Sequence, residues 1–518
     1  MNRKLSILLA FPAFVFFLRV LAAETLDPRV FAGKAAGEPA SFLVVLREQA
    51  DLSGAEAFPS KEEKGRFVFE ALRAQAETAQ APLRAALDAA GVRYRSFYLV
   101  NMLEVEGDQS LARELASRLD VATIAPNPEV SLERQPIEQQ PGASPDASRL
   151  TPDAASAVEP NIAKVGAPSV WSRGFTGQGI VVGMADTGIA WEHPVLRSHY
   201  RGVNGTAVSH DYNWHDAIHN ALPGNTCGSD APAPCDDQTH GTGTASLVVG
   251  DDGAGNQIGM APGAKFIGCR NMDQGNGTPA RYTECFQFFM APTDHTGANP
   301  RPDLAAHVIN NSWGCPPSEG CTDPLVLKAV VENVRTAGIV VVVSAGNSGA
   351  ACSTISDVPA GYDASFSIGA TTLADTIAGF SSRGPVTVDG SNRLKPDLSA
   401  PGVGLRVAAP PTSFSGGFSG TSGSAPHVTG AVALLWSAAP QLIGQVAATT
   451  NVLELTAVPL TSTQDCGGFS GASVPNPVFG WGRLDVAAAV TASLPSPTRP
   501  KAVLAPRHGS TRRVLPRT

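Results

Sequence analysis

The sequence predicts an α/β fold: a mostly parallel sheet with helices on both faces, preceded by a small α+β domain. Three observations carry this. The runs Ile180-Val181-Val182, Lys265-Phe266-Ile267, His307-Val308-Ile309 and Ile339 to Val343 are continuously apolar rather than alternating, as in strands buried on both faces. Helical stretches separate these runs, the order that builds parallel strands with crossover helices. Finally, the 518 residues carry 52 glycines and only 16% charged side chains, a composition suited to a compact domain rich in tight turns. That length accommodates two to four domains.

In chain order, residues 1–23 come first. Asn2-Arg3-Lys4 precedes an apolar stretch from Leu5 to Phe17, and Val20-Leu21-Ala22-Ala23 closes it with small residues. A basic start, an apolar run and a small-residue end read as a secretory signal peptide, cut after Ala22 or Ala23. The run is too short to span a bilayer comfortably, so a secreted protein, extracellular or periplasmic, is expected, with no stable membrane span.

Residues 24–133 read as a separate unit. Phe42 to Leu46 reads as a strand, Arg66 to Ala90 as one or two helices broken near Pro82, and Phe97 to Val105 as a strand. Leu111, Leu115 and Leu119 recur every four residues and mark one apolar face of a second helix. A last strand near Ala122-Thr123-Ile124 completes a pattern close to β-α-β-β-α-β, the ferredoxin-like arrangement. Residues 134–160, rich in Pro, Gln, Ala, Ser and Asp, read as a flexible linker where nicking concentrates. Residues 161–492 hold the main α/β domain. Residues 493–518 form a basic tail with Arg499, Lys501, Arg507, Arg512, Arg513 and Arg517, expected to be disordered. The overall charge of −8 gives no reason to expect nucleic acid as a partner.

All eight cysteines fall in the main domain. An even count in an exported chain suggests disulfides, and short loops favour the set 227–235, 269–285, 315–321 and 352–466 among 105 pairings. No CxxC pair supports a zinc site.

Three segments carry the chemistry. Val182-Gly183-Met184-Ala185-Asp186-Thr187-Gly188 ends an apolar strand on an aspartate. Thr239-His240-Gly241-Thr242-Gly243-Thr244 follows, and Ser419-Gly420-Thr421-Ser422-Gly423-Ser424-Ala425-Pro426 completes the series. A serine hydroxyl needs an imidazole to take its proton, and the imidazole needs a buried carboxylate to fix its tautomer. An esterase of the α/β-hydrolase kind would want Gly-x-Ser-x-Gly and the order Ser, Asp, His. Ser424 breaks that motif, and the order here is Asp, His, Ser.

With these segments, the chain resembles the subtilisin-like serine proteases. Asn310-Asn311-Ser312-Trp313-Gly314, Ser344-Ala345-Gly346-Asn347-Ser348-Gly349, Phe380 to Pro385 and Lys395 to Gly402 strengthen the match from about Asn161 to about Ala489. The insert around Cys227 to Cys235 and the Asp251-Asp252-Gly253-Ala254-Gly255-Asn256 loop resemble the bacillopeptidase-F-like branch. The resemblance implies a secreted serine endopeptidase made as a zymogen, with residues 24–133 as an inhibitory propeptide and the maturation site in the linker. Its substrates would be polypeptides, and its own propeptide would be an inhibiting partner.

The resemblance also assigns roles. Ser422 is the nucleophile, His240 the base and then acid, and Asp186 the group that orients His240. The Asn347 side-chain amide and the Ser422 backbone N–H are the oxyanion donors. Substrate would pair with Ser312-Trp313-Gly314 as an added strand, and Ser344-Ala345-Gly346 would line the pocket for the residue before the scissile bond. No acidic residue adjoins that segment, so no strong demand for a basic side chain is expected. Gly423 stands where relatives commonly have methionine, which would reduce sensitivity to oxidation and widen the leaving side. No cofactor is required for the chemistry. Val195 stands where calcium-binding relatives often carry Asp. The Asp251–Asn256 loop has the oxygen-rich composition of a structural calcium site, and equally of an ordinary Gly/Asp turn.

Overall fold

The computed structural model describes residues 25–132 and 157–494. The expected signal peptide, nearly all of the expected linker and the basic tail after residue 494 lie outside the described residues.

The N-terminal unit is a four-stranded antiparallel sheet in the order Tyr94–Phe97, Met102–Gly107, Ala40–Leu46, Val121–Pro126. Its first helix, Lys61–Ala89, starts on a reciprocal cap: Ser60 Oγ accepts from Glu63 N at 3.2 Å and donates to the Glu63 carboxylate at 2.7 Å. The helix is continuous, contrary to the expected break at Pro82. Pro82 and Thr78, whose carbonyl loses its partner, both face solvent, so water satisfies the orphaned group. The expected single strand Phe97–Val105 is two strands joined by a tight turn through Tyr98–Asn101. Leu119 is also corrected: the second helix spans Gln109–Ala116, and Leu119 lies beyond it, 93% exposed. Ala112 and Leu115 already fill that helix's inner face, and the chain must turn at Leu119 to enter the last strand.

The main domain is built on a seven-stranded sheet in the order Trp214–Asp216, Lys265–Arg270, Val181–Asp186, Val308–Asn311, Val340–Ser344, Phe366–Thr371, Leu398–Pro401. All six pairings are parallel. Side chains alternate between two cores. Val340 and Val342 join the nearly fully buried helix Thr421–Ala438, while Val341 and Val343 join helices Pro279–Met290 and Lys328–Thr336 on the other face. Burial on both faces explains why the strands read as unbroken apolar runs.

Phe69, Leu72, Phe97 and Leu99 of the N-terminal unit belong to the same core as Phe286, Phe288 and Val330 of the main domain. Polar contacts flank this seam. The Gln287 carboxamide accepts from Tyr98 N at 2.9 Å, Asn333 Nδ2 donates to Leu99 O at 2.7 Å, and Arg95 pairs with Glu284 at 2.5 Å.

The four expected disulfides, Cys227–Cys235, Cys269–Cys285, Cys315–Cys321 and Cys352–Cys466, are all present, and no described cysteine is free. No helix among the described residues is long and apolar enough to cross a membrane.

Candidate active site

Open parallel sheets present their functional groups beyond the carboxyl ends of the strands. Here Asp186 ends one central strand, Ser312 follows the next and Ala345-Gly346-Asn347 follow the third.

Asp186 is buried, and its Oδ1 accepts from His240 Nδ1 at 2.7 Å. Thr187 N donates to the same oxygen at 2.8 Å, and Thr244 Oγ1 donates to Oδ2 at 3.1 Å. With its Nδ1 proton committed to Asp186, His240 carries its basic lone pair on Nε2. The His240 ring lies 5.5 Å from the Phe418 ring, which shields it from water.

His240 is the first residue of helix His240–Val249. Gly241 follows it because a Cβ there would meet the Gly188 carbonyl at 2.1 Å. Asp236, which sequence reasoning passed over, organises this corner. Its Oδ1 accepts from Thr239 N at 2.8 Å and Thr187 Oγ1 at 2.9 Å, and its Oδ2 accepts from Thr242 N at 2.9 Å. One carboxylate thus caps the histidine's helix and ties it to the residue after Asp186. The available signal was an Asp just before a helix start.

Ser422 is the second residue of helix Thr421–Ala438, so its N–H is among the first-turn donors without an intrahelical acceptor. The helix starts five residues before Pro426. Its Pro426 removes the N–H that would have bonded the Ser422 carbonyl. That carbonyl instead accepts from Ser312 Oγ at 3.0 Å, and Ser422 Oγ donates to the Ser312 carbonyl at 3.1 Å. Asn347 lies alongside. Thr421 N and Thr421 Oγ1 meet its amide at 2.9 and 3.0 Å, and since a backbone N–H can only donate, the atom they face is Oδ1. The amide nitrogen is therefore turned to the opposite side.

One pocket collects Ser312, Trp313, Gly314, Ser344, Gly346, Asn347 and Ser422. Trp313 contributes main chain, since its ring is turned inward and stacks on Tyr282 at 3.8 Å. Ala345 does not line this pocket. It is fully buried, with its N–H bonded to the Ile368 carbonyl at 3.0 Å. Asp357, ten residues beyond Asn347, does line it. The residues adjoining Ser344-Ala345-Gly346 in sequence give no sign of Asp357, which the fold returns to the pocket from a separate segment.

The segment leaving the N-terminal unit enters the same cleft. Val130–Ser131 pairs antiparallel with Asn276–Gly277, which pairs with Met272–Asp273. Leu132 N donates to Gly275 O at 2.6 Å, and Ser131 and Leu132 line the pocket beside Ser422.

Two other expectations, at Gly423 and in the Asp251–Asn256 loop, meet the structure here, beside a second histidine near Ser422. The leaving side is not widened at Gly423: a Cβ there would lie 2.7 Å from Leu405 Cδ1, so a neighbouring side chain already occupies that space. His427 is a packing residue, with Nδ1 2.8 Å from the Gly423 carbonyl and Nε2 2.9 Å from Asn161 Nδ2. Burial pushes its pKa down to about 4. In the calcium candidate loop, Asp252 accepts from Ala254 N at 2.8 Å and Asn256 Nδ2 at 2.6 Å, and Val195 is wholly buried in the apolar core. Among the described residues no cluster of three or more His, Cys, Asp or Glu is arranged to hold a metal.

Comparison with known proteins bears on this geometry. The model of the subtilase family matches residues 177–482, more than half of the chain. Bacillopeptidase F of Bacillus subtilis (strain 168) is 33% identical over 405 residues, covering 77% of this chain and 26% of that protein. Subtilisin E of the same strain is 29% identical over 288 residues, covering 55% of this chain and 63% of its own. M-protease of Shouchella clausii is 26% identical over 359 residues, covering 65% and 80% respectively. The chain thus spans about a quarter of the length of Bacillopeptidase F. With this match lying over the seven-stranded sheet and its Asp-His-Ser edge, the chain belongs to the subtilase family, the subtilisin-like serine proteases.

Proposed function

We propose that the chain is a secreted serine endopeptidase made as a zymogen, acting through Asp186, His240 and Ser422 and an acyl-enzyme intermediate. The observation that carries this reading is the 2.7 Å Asp186–His240 pair at the strand ends, beside a helix-borne Ser422 and Asn347.

On this reading, Ser422 Oγ swings from the Ser312 carbonyl to His240 Nε2, which takes its proton as Oγ attacks the substrate carbonyl carbon. Substrate main chain competes for that same Ser312 carbonyl, which frees the hydroxyl. The resulting oxyanion is met by Asn347 Nδ2 and the Ser422 N–H. His240 then gives its proton to the departing amine as the C–N bond breaks, leaving an ester on Ser422. Water, deprotonated by the same imidazole, cleaves that ester and restores the hydroxyl. Asp186 stabilises the imidazolium in both steps.

The N-terminal unit, residues 24–133, acts as the inhibitory propeptide. The antiparallel strand at Val130–Ser131, leading to Leu132 beside Ser422, is how a bound substrate would run. Maturation cuts the chain within 134–160. Substrates are polypeptides, no cofactor takes part in the chemistry, and residues 1–23 direct export. A structural calcium remains a proposal for the Asp251–Asn256 loop, tested by whether chelation lowers the melting temperature.

The test is Ser422→Ala expressed as the full chain. It should hydrolyse no peptide and stay uncleaved, with secretion unaffected. Normal processing of that variant in a protease-free host would remove self-maturation from the account.

A further inference from the structure

The pocket beside Ser422 is a slot whose two walls come from Ser312-Trp313-Gly314 and from the turn after Ser344. Each wall presents a glycine. A Cβ on Gly314 would lie 3.1 Å from Asp357 Oδ2, and one on Gly346 would lie 3.2 Å from the same oxygen. The Asp357 carboxylate therefore sits directly behind both glycines, between the walls. It is 4% exposed, and it lines the slot. Among the described residues, the other groups lining the slot are neutral, so Asp357 sets its electrostatic sign.

The carboxylate is held in place rather than carried on a loose loop. Val358 pairs with Cys315, the residue after Gly314, through N–H···O bonds of 2.8 and 3.2 Å in opposite directions. Gly361 N donates to the Asp357 carbonyl at 3.2 Å, and Ser356 Oγ donates to Asp357 Oδ1 at 3.2 Å. The segment bearing the charge is thus hydrogen-bonded to the wall it stands behind.

We propose that Asp357 makes this slot select lysine or arginine as the residue on the acyl side of the scissile bond. This rests on the endopeptidase reading given above. A long basic side chain passes between glycine walls, where its methylenes stay dry, and brings its charge to a buried carboxylate. A carboxylate lining a slot whose other described groups are neutral attracts positive charge, so the complement of the slot is a cation. A carboxylate at the base of such a pocket sets the same preference in trypsin. A glutamate in the substrate would be repelled, and an aliphatic residue would gain nothing from the carboxylate.

The experiment uses the full chain, expressed and left to process, with peptides identical except for Arg, Lys, Leu, Phe, Ala or Glu before the scissile bond. The expected result is kcat/KM for Arg and Lys about tenfold or more above Leu and Phe, with Glu lowest. Asp357→Asn should lower the Arg-to-Leu ratio by about tenfold or more, and Asp357→Glu should restore part of it. Should neither variant accumulate as folded protein, benzamidine against benzamide on the unaltered enzyme decides: the cation should inhibit and its neutral isostere should not. Equal or better cleavage at Leu or Phe, an unchanged ratio in Asp357→Asn, or equal inhibition by the two compounds would overturn the assignment. Failure to cleave any peptide of the set would strike the endopeptidase reading itself, a result distinct from cleavage without preference.

Discussion

Ser312 and Ser422 exchange hydrogen bonds in both directions, side chain to carbonyl, at 3.0 and 3.1 Å. One bond exists because Pro426 leaves the Ser422 carbonyl without an intrahelical donor. The other parks the Ser422 hydroxyl on the carbonyl that an incoming substrate strand would use. The proline therefore couples the helix of the proposed nucleophile, Ser422, to the proposed substrate-binding wall at Ser312.

Ser312→Ala tests that coupling. It leaves the buried Ser422 carbonyl without its donor, which costs about 1–3 kcal/mol. Thermal unfolding of Ser312→Ala in a Ser422→Ala background, where self-digestion is removed, should show a lower melting temperature than Ser422→Ala alone. An unchanged melting temperature would mean that water or a shifted helix satisfies the carbonyl.

Asn347→Ala should lower turnover by about two to three orders of magnitude with little change in KM, the magnitude established for this kind of donor within this same family. On the proposed mechanism, the amide acts on the developing oxyanion rather than on the bound ground state. A loss lying wholly in KM would reassign Asn347 to substrate binding.

His427 gives stability a defined pH dependence. Burial depresses its folded pKa to about 4, below the ordinary value of 6.5. The unfolded chain thus takes up a proton first as the medium is acidified. The stabilising contribution is complete above pH 6.5 and is lost as pH falls toward 4, reaching on the order of 3 kcal/mol. His427→Gln in the Ser422→Ala background should flatten the fall in melting temperature between pH 6.5 and 4. An identical slope would place the titrating group elsewhere, the half-buried His307 being the next candidate.

If the N-terminal unit inhibits as proposed, the seam between the two units predicts how that inhibition is tuned. Burial raises the pKa of Glu284, but hydrogen bonds from His215 and His219 and the nearby Arg95 outweigh it and hold the carboxyl well below its usual range. Glu284 is therefore charged wherever the protein works, and Arg95→Glu sets two carboxylates against each other. Residues 24–133 supplied separately should inhibit the processed enzyme, and the same segment with Arg95→Glu should need about tenfold or more for equal inhibition. Equal potency of two folded segments would show that the apolar seam alone sets affinity.

Much of this architecture was legible in the sequence. Strands buried on both faces leave unbroken apolar runs, so the central sheet could be read from Ile180, Lys265, His307 and Ile339 onward. The Asp, His and Ser segments carry local signatures, and the structure gathers them at one edge. Where the reading failed, a non-local or cap effect decided. Pro82 does not break its helix because solvent satisfies Thr78. Leu119 keeps helical spacing but lies past a helix that ends earlier. Asp357 reaches the pocket only because Val358 pairs with Cys315, and Gly423 leaves no opening because Leu405 fills it. Neither relation is written in spacing along the chain.

The most direct test of the central claim is peptide mapping by mass spectrometry after treating the processed enzyme with a serine-directed sulfonyl fluoride. The account predicts one label per molecule, on the peptide containing Ser422, with peptide hydrolysis lost in step with labelling and neither label nor hydrolysis in Ser422→Ala. A label on another residue, or hydrolysis that survives complete modification of Ser422, would contradict it.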